Sequence, residues 1–310
     1  MNILFLMKPL NSINPKKDTS LLFMQAAEKQ GHSIYYLPQG NCSLTPTGAT
    51  FDCIPISCTY NNDVPLRTKT PCQLSNNDVD IIFIRTDPPV DNAYIHDLWI
   101  LQQLPDSIRC INSPTGILTI NEKIWTTQFK SLIPNTWISK SISQIKSIIK
   151  HKKTVIIKPT NNFGGQGIFK LSNEDPNLAA ILETATQNET QYIVIQAYIK
   201  ESQNGDKRIL LCNGNPIGAL LRVHSPDDHR NNFFAGGSAA PATITDQDTK
   251  IITKIKPYLL KNGLNFVGID IIGDYLIEIN VTSPTCLQEL NQLTHHEHEH
   301  DILCTLLQSN

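Results

Sequence analysis

Three oxygen-bearing side chains, Asp270, Glu278 and Asn280, interrupt runs of isoleucine in a segment that otherwise reads as two adjacent strands, 266–272 and 275–280. Carboxylates and an amide among isoleucines are costly unless they have partners, and hard oxygen donors of this kind suit Mg²⁺ held between protein and phosphates. Glu278 and Asn280 are two apart and share one strand face. The face of Asp270 depends on the turn. A two-residue Gly273-Asp274 turn pairs it with Ile277 and leaves Glu278 on the opposite side; an odd-numbered loop, or a bulge at the glycine, brings Asp270 and Glu278 together. Metal binding therefore requires the odd count. The bland alternative, wet positions on a half-exposed hairpin, requires nothing.

A second constellation begins at Lys158, at the end of the apolar strand 154–158, followed by the glycine loop 161–167. Glycines let backbone amides approach phosphate oxygens closely, and the ammonium supplies a point charge. A glycine-rich hairpin after an exposed lysine accounts for the same residues. The loop lacks the Gly-Lys-Ser/Thr of a P-loop and the spacing of the dinucleotide fingerprint. Arg208 and Arg222 stand on strands nearby, and Arg230 and Asn232 in a polar loop, 225–241. Guanidinium forks fit carboxylates and phosphoryl groups bidentately, although a lone arginine is commonly a solvated charge.

The elements that must position these groups follow from periodicity and caps. Strands are expected at 3–7, 34–37, 80–84 and 109–111, with helices from Asp18 to about Gln30 and from Asp91 to Gln103. Strands alternating with helices suggest an open, parallel α/β sheet. Residues 39–73 are rich in Pro, Thr, Asn and Cys and show no period. A second unit from Asn121 holds a capping box at Ser141–Gln144, the Lys158 strand, an Asp175-Pro176 helix start and a strand at 192–197. A third unit from Gly205 holds strands at 208–212 and 216–223, and a helix opened by Thr245, kinked at Pro257 and closed by Gly263. The expected domains are 1–120, 121–200 and 201–310.

Length and composition agree with a globular protein of two or three domains: 310 residues, 40% hydrophobic. A net charge of -2 and a pI of about 6.5 argue against nucleic acid as a partner. An anionic ligand must then be held by a few placed cations. The apolar run 3–7 is too short for a signal peptide, and no stretch reaches membrane-span length, so no membrane role is expected. The eight cysteines include no Cys-x-x-Cys, which suggests reduced thiols and a cytoplasmic location. In the tail 295–300, His296 and His300 would share a helix face and could capture a divalent metal, or be ordinary surface histidines.

Taken in order along the chain, Asn121-Glu122-Lys123, Lys158-Pro159 with Gly164-Gly165, Gly205-Asp206-Lys207-Arg208, Phe266-Val267-Gly268-Ile269-Asp270-Ile271-Ile272-Gly273-Asp274 and Glu278-Ile279-Asn280-Val281-Thr282-Ser283-Pro284-Thr285 resemble the prokaryotic glutathione synthetase family of ATP-grasp ligases. Asn14, Lys16-Lys17-Asp18 and Arg85-Thr86-Asp87-Pro88-Pro89 fit the same pattern. The resemblance implies an ATP-grasp fold behind an open parallel-sheet N-terminal domain. It also implies a reaction: ATP-dependent ligation of γ-glutamylcysteine and glycine through an acyl phosphate.

The roles that the resemblance implies are these. Lys123 and Lys158 contact phosphates, with Gly164 and Gly165 in the covering loop. Gln196, Tyr198 and Ile199 hold the adenine, and Asp206 lies near the ribose. Asp270, Glu278 and Asn280 bind two Mg²⁺, for which Mn²⁺ could substitute, while Arg208 and Arg222 stabilise the transferring phosphoryl group. Lys17, Asp18, Arg85, Arg230 and Asn232 frame the peptide, with Ser283 and Thr285 near the acceptor. Loops 161–166 and 225–241 are the expected lids, and a homotetramer is the expected assembly. The chain departs from the family pattern at Asn162 or Phe163, where a glycine is usual, and at Ser238, Ala239 and Ala240, where a basic and an acidic residue are usual. Rival expectations are another carboxylate–amine ligase or a nucleotide-binding relative without turnover.

Overall fold

Strand β1 (Asn2–Met7) is buried along almost all its length and forms the axis of the first sheet. In this computed structural model, which describes residues 1–59, 64–224 and 237–308, it pairs in parallel with β2 (Ser33–Pro38) on one side. The expected helix joins them: α1 (Thr19–Lys29), whose first turn is capped by the Asp18 carboxylate accepting from Leu21 N at 2.8 Å.

The aperiodic stretch is not loop. It supplies β3 (Cys42–Thr45), β4 (Gly48–Cys58), β5 (Leu66–Thr68) and β6 (Cys72–Ser75), all antiparallel additions. The long β4 pairs with β3 and β6 through its first half, and with β2 and β5 through its second. On the far side of β1 lie β7 (Ile81–Ile84) and β8 (Arg109–Ile111), again parallel, with α2 (Asn92–Leu101) between them and α3 (Pro114–Thr119) after. The parallel sheet expected from the alternation is thus β2-β1-β7-β8, extended at one edge by antiparallel strands.

The second sheet is β9 (Thr136–Ser139), β10 (Thr154–Pro159), β11 (Phe169–Ser172) and β12 (Ile193–Ala197), wholly antiparallel in the order β11-β10-β12-β9. Helix α4 (Ile142–Lys152) begins at the expected Ser141 cap, but Gln144 does not close the box directly. Its side chain accepts from the Ser139 hydroxyl at 2.6 Å, and that hydroxyl in turn accepts from Ser141 N. Helix α5 (Leu178–Ala185) starts later than Asp175-Pro176 suggests. The Asp175 carboxylate caps Asn177 N in a local turn instead.

The third sheet, order β15-β14-β13-β16-β17, is β13 (Asp206–Cys212), β14 (Asn215–Val223), β15 (Ser238–Pro241), β16 (Phe266–Ile272) and β17 (Tyr275–Asn280). Helix α6 (Asp246–Lys261) carries the Thr245 cap and the internal Pro257, and α7 (Leu287–Thr294) and α8 (His298–Gln308) close the chain. The end of the expected lid 225–241 is strand β15; the rest of that segment up to residue 236 lies outside the described residues.

Two hydrophobic clusters join the first and third sheets: Leu4 and Ile82 share one with Ile209 and Ile269, and Phe5 and Phe83 share the other with Leu210 and Phe266. The second sheet has a core of its own, built from residues such as Ile145, Ile149, Val155, Leu182 and Ile195.

Candidate active site

Strands β16 and β17 settle the face of Asp270. The turn is the two-residue kind, with Ile272 opposite Tyr275 and Ile271 opposite Leu276. The register then shifts, Ile277 is left unpaired, and Asp270 stands opposite Glu278. The odd count that metal binding requires comes from a bulge at Ile277, the third residue of β17, not from the glycine. Asn280 follows on the same face, donating to Gly268 O at 3.2 Å and Asp270 Oδ2 at 3.3 Å.

The same face continues across β13 and β14. Asp206 and Arg208 alternate on β13; Arg208 lies opposite Asp270, and Asp206 opposite Arg222. Arg208 donates through Nε to Asp270 Oδ1 and through Nη2 to Oδ2 at 3.0 Å. Arg222 reaches Asp270 Oδ2 at 2.9 Å and grips Asp206 through Nε at 2.9 Å and Nη2. All four residues are buried. Burial works against ionisation of Asp270, but Arg208 and Arg222 outweigh it and hold the carboxyl well below its ordinary range. Gly268 makes room: a Cβ there would meet Arg208 Cδ and Nη1, both at 3.2 Å. Asp206, expected near a ribose, lines a hollow with Gln196, Tyr198 and Ile199 but spends its carboxylate on Arg222.

The second sheet and the connecting segment supply the opposing cations. Lys123 Nζ lies 3.6 Å from Glu278 Oε1 and donates to Asn162 O at 2.6 Å, tying the glycine loop to the metal-face strand. Lys158 is buried and donates to Gln196 Oε1 at 3.0 Å, while Gln196 donates to Thr136 Oγ1 at 3.0 Å. Burial pulls the Lys158 ammonium down, and Glu278 pulls it partly back. In the loop, Gly167 has φ +71°, and a Cβ there would sit 2.7 Å from Pro159 Cγ. Phe163, the bulky departure, packs beneath the Lys8 ammonium at 5.2 Å.

Around these groups lie two adjoining hollows. The larger, about 200 Å³, is lined by Lys17, Asp18, Arg85, Lys123, Gly164, Gly165, Arg208, Arg222, Asp270, Glu278, Asn280, Ser283 and Thr285. The smaller, about 100 Å³, is lined by Lys158, Gln196, Tyr198, Ile199 and Asp206 with the apolar walls Ile156, Ile168, Ile272 and Ile277. Asp270, Glu278 and Ile168 border both. A flat apolar slot continuous with a charged chamber suits a base joined to a polyphosphate. Arg85 is buried, donating to Ser20 Oγ at 3.0 Å and Pro284 O at 2.9 Å. Every expected site residue among those described therefore converges on one cleft; Arg230 and Asn232 lie outside the described residues.

One residue was not singled out from the sequence. Glu122 Oε1 accepts from Val281 N at 2.8 Å, Thr282 N at 3.1 Å and Thr282 Oγ1 at 2.9 Å, and its carbonyl accepts from Ile279 N. It fixes the end of β17, and with it Glu278 and Asn280. Burial raises its carboxyl pKa, opposed by Lys123 and the Thr282 amide. Its only sequence signal was its place between Asn121 and Lys123.

The donor set fits a hard divalent cation, since three oxygen-bearing side chains meet on one face beside the charged chamber. The histidine tail does not form the expected pair. His296 precedes α8 and contacts Asp301 at 2.8 Å, whereas His300 lies within the helix and contacts Glu297 at 3.2 Å.

The family model for the prokaryotic glutathione synthetase N-terminal domain matches residues 1–117, and that for the ATP-grasp domain matches residues 122–295. A glutathione synthetase from Gloeobacter violaceus is 38% identical over 304 residues, covering 94% of this chain and 92% of the relative. One from Shewanella oneidensis is 35% identical over 286 residues, covering 92% and 91%. Among solved structures, D-cycloserine synthetase DcsG superposes with a TM-score of 0.69 at 11% identity, covering 98% of each chain. The macrocyclase MdnC from Microcystis aeruginosa gives 0.65 at 14% identity over the whole of both chains. The family model gives the ATP-grasp fold, and both structures share this chain's overall fold.

Proposed function

The chain belongs to the prokaryotic glutathione synthetase family, and we propose that its cleft brings together γ-glutamylcysteine, glycine and ATP. It is an ATP-dependent ligase that makes glutathione. The observation that carries the placement of the chemistry is the facing of Asp270 and Glu278 across β16 and β17, with Arg208 and Arg222 beside them and Lys123 within reach.

The reaction needs little covalent help from the protein; it needs placement and charge compensation. The cysteinyl carboxylate oxygen attacks the γ-phosphorus and ADP leaves. The glycine amine, having lost a proton, then attacks the acyl carbon and phosphate leaves. Lys158 and Lys123 hold the polyphosphate, and the Ile156, Ile168, Ile272 and Ile277 slot takes the base beside Tyr198 and Ile199. Arg208 and Arg222 present guanidinium donors to the transferring phosphoryl group. Lys17, Asp18 and Arg85 frame the peptide, and Ser283 and Thr285 line the acceptor side. A divalent cation on Asp270, Glu278 and Asn280 would neutralise phosphate charge. The glycine loop, tied down by Lys123 and Lys8, keeps water from the acyl phosphate.

Three finer points are carried by the family resemblance alone: two Mg²⁺ ions with Mn²⁺ as a substitute, a homotetramer, and a cytoplasmic location. The three units 1–120, 121–200 and 201–310 belong to the same proposal, supported by one sheet in each. No helix of the described residues is long and apolar enough to cross a membrane.

The deciding experiment incubates the protein with Mg-ATP, γ-glutamylcysteine and glycine and follows phosphate release and tripeptide mass. Release only when all three are present is expected. Silence with that set, together with release on other dipeptides or amino acids, would move the protein to a different carboxylate–amine ligase.

A further inference from the structure

We propose that Cys53 and Cys72 are a reversible disulfide site that takes a low-molecular-weight disulfide as its oxidant. The two cysteines are directly opposite on β4 and β6, and their sulfurs are 3.8 Å apart, the one such contact between cysteines among the described residues. Residues facing each other on antiparallel strands have Cα atoms about 4.5–5.5 Å apart, inside the roughly 4.4–6.8 Å that a disulfide spans. Bond formation therefore needs side-chain rotation and at most a small approach of the two strands. A surface hollow walled by Asn41, Asp52, Pro71 and Gln73 opens on the pair.

The two thiols are unequal. Cys72 is partly exposed, and Cys53 is 1% exposed. Burial, first, and its hydrogen bond to Cys72 push the Cys53 thiol up to about 12, and the more exposed Cys72 is the one placed to meet the oxidant first. The sequence of events follows. The Cys72 thiolate attacks one sulfur of the small disulfide, forming a mixed disulfide and releasing one small thiolate. Cys53 then gives up its proton as its sulfur attacks the Cys72 sulfur; the protein disulfide forms, and the second small thiolate leaves, taking up that proton. Two protein thiols are oxidised, one disulfide is reduced to two thiols, and the protons given up by the protein end on those thiols. The product of this ligase is itself a thiol, and its oxidised dimer belongs to the required class. The site lies outside the catalytic cleft, and its test reads bonds to sulfur, so it stands or falls independently of the ligase assignment.

The native full-length protein is incubated with glutathione disulfide, alkylated, and digested without reduction for mass spectrometry; only chains that run as monomers on a non-reducing gel are taken. The expected result is one linked peptide pair, Cys53 with Cys72, which dithiothreitol dissolves. C53S is expected to trap the small thiol on Cys72, and C72S to leave Cys53 free. Exposed Cys304 serves as an internal gauge of oxidant. Recovery of wild-type Cys53 and Cys72 as alkylated thiols after Cys304 has been converted would overturn the proposal, and this result needs no variant to fold.

Discussion

Asp270 and Glu278 face each other because Ile277 has no partner on β16. One surplus residue in a six-residue strand converts an alternating hairpin into a surface where both carboxylates point into the same cleft. The surplus residue is not idle, since Ile277 also walls the apolar slot beside them.

Glu278→Gln keeps the size of the side chain, removes its charge and replaces one acceptor oxygen by a donor. Turnover should fall by about 10²-fold or more, the scale of deleting one preorganised electrostatic group, with the melting temperature little changed. Steady-state phosphate release and thermal unfolding measure both. Undiminished turnover at ordinary Mg²⁺ would take Glu278 out of the metal set.

Lys158→Ala should weaken ATP binding by about 10- to 100-fold, matching the roughly 1.5–3 kcal/mol carried by a charged hydrogen bond. Calorimetric titration with ATP reads this directly. An unchanged dissociation constant would mean that the buried ammonium serves only Gln196.

Asp270→Asn leaves two buried guanidiniums without their shared anion. Removing one partner of a buried ion pair costs about 3–5 kcal/mol, so a clear loss of stability toward urea is expected. A variant as stable as the parent would show that Asp206 alone can satisfy Arg222 and that Arg208 finds another acceptor.

Glu122 gives a pH test. Its folded-state pKa lies above the ordinary 4.5, so near and above that value the folded chain keeps a proton that the unfolded chain releases. The stability it contributes is present below pH 4.5 and drains away as pH rises through the folded-state value. Glu122→Gln cannot titrate. Its unfolding free energy relative to the parent should therefore rise across that window, as followed by urea unfolding at stepped pH. A difference that does not vary with pH would contradict the raised pKa.

Much of this was legible in the residues. The oxygen-bearing side chains among isoleucines marked β16 and β17, and Asp18, Asp91, Ser141 and Thr245 each announced a helix through its cap. What failed to show had physical reasons. Strand β4 serves four neighbours in two halves: it alternates through buried Ala49, Phe51 and Cys53, but the phase breaks before buried Ile56, so no single period runs along its length. The edge strand β15 is Ser-Ala-Ala-Pro, without a β-branched residue, and its proline is tolerable only at an edge. Position in the hairpin was harder still: the glycine turn was visible, but the bulge at Ile277 depends on tertiary demands that no local signal carries.

The division of the interior has a mechanical meaning. The first and third sheets share their hydrophobic clusters, whereas the four strands bearing Lys158 pack around residues of their own. A tilt of that smaller piece as a body would leave each core intact. Its rim contacts, such as Lys123 to Asn162 and Lys8 over Phe163, are the ones that must give. The cleft thus lies between a larger unit carrying the carboxylates and arginines and a separately cored one carrying the buried lysine.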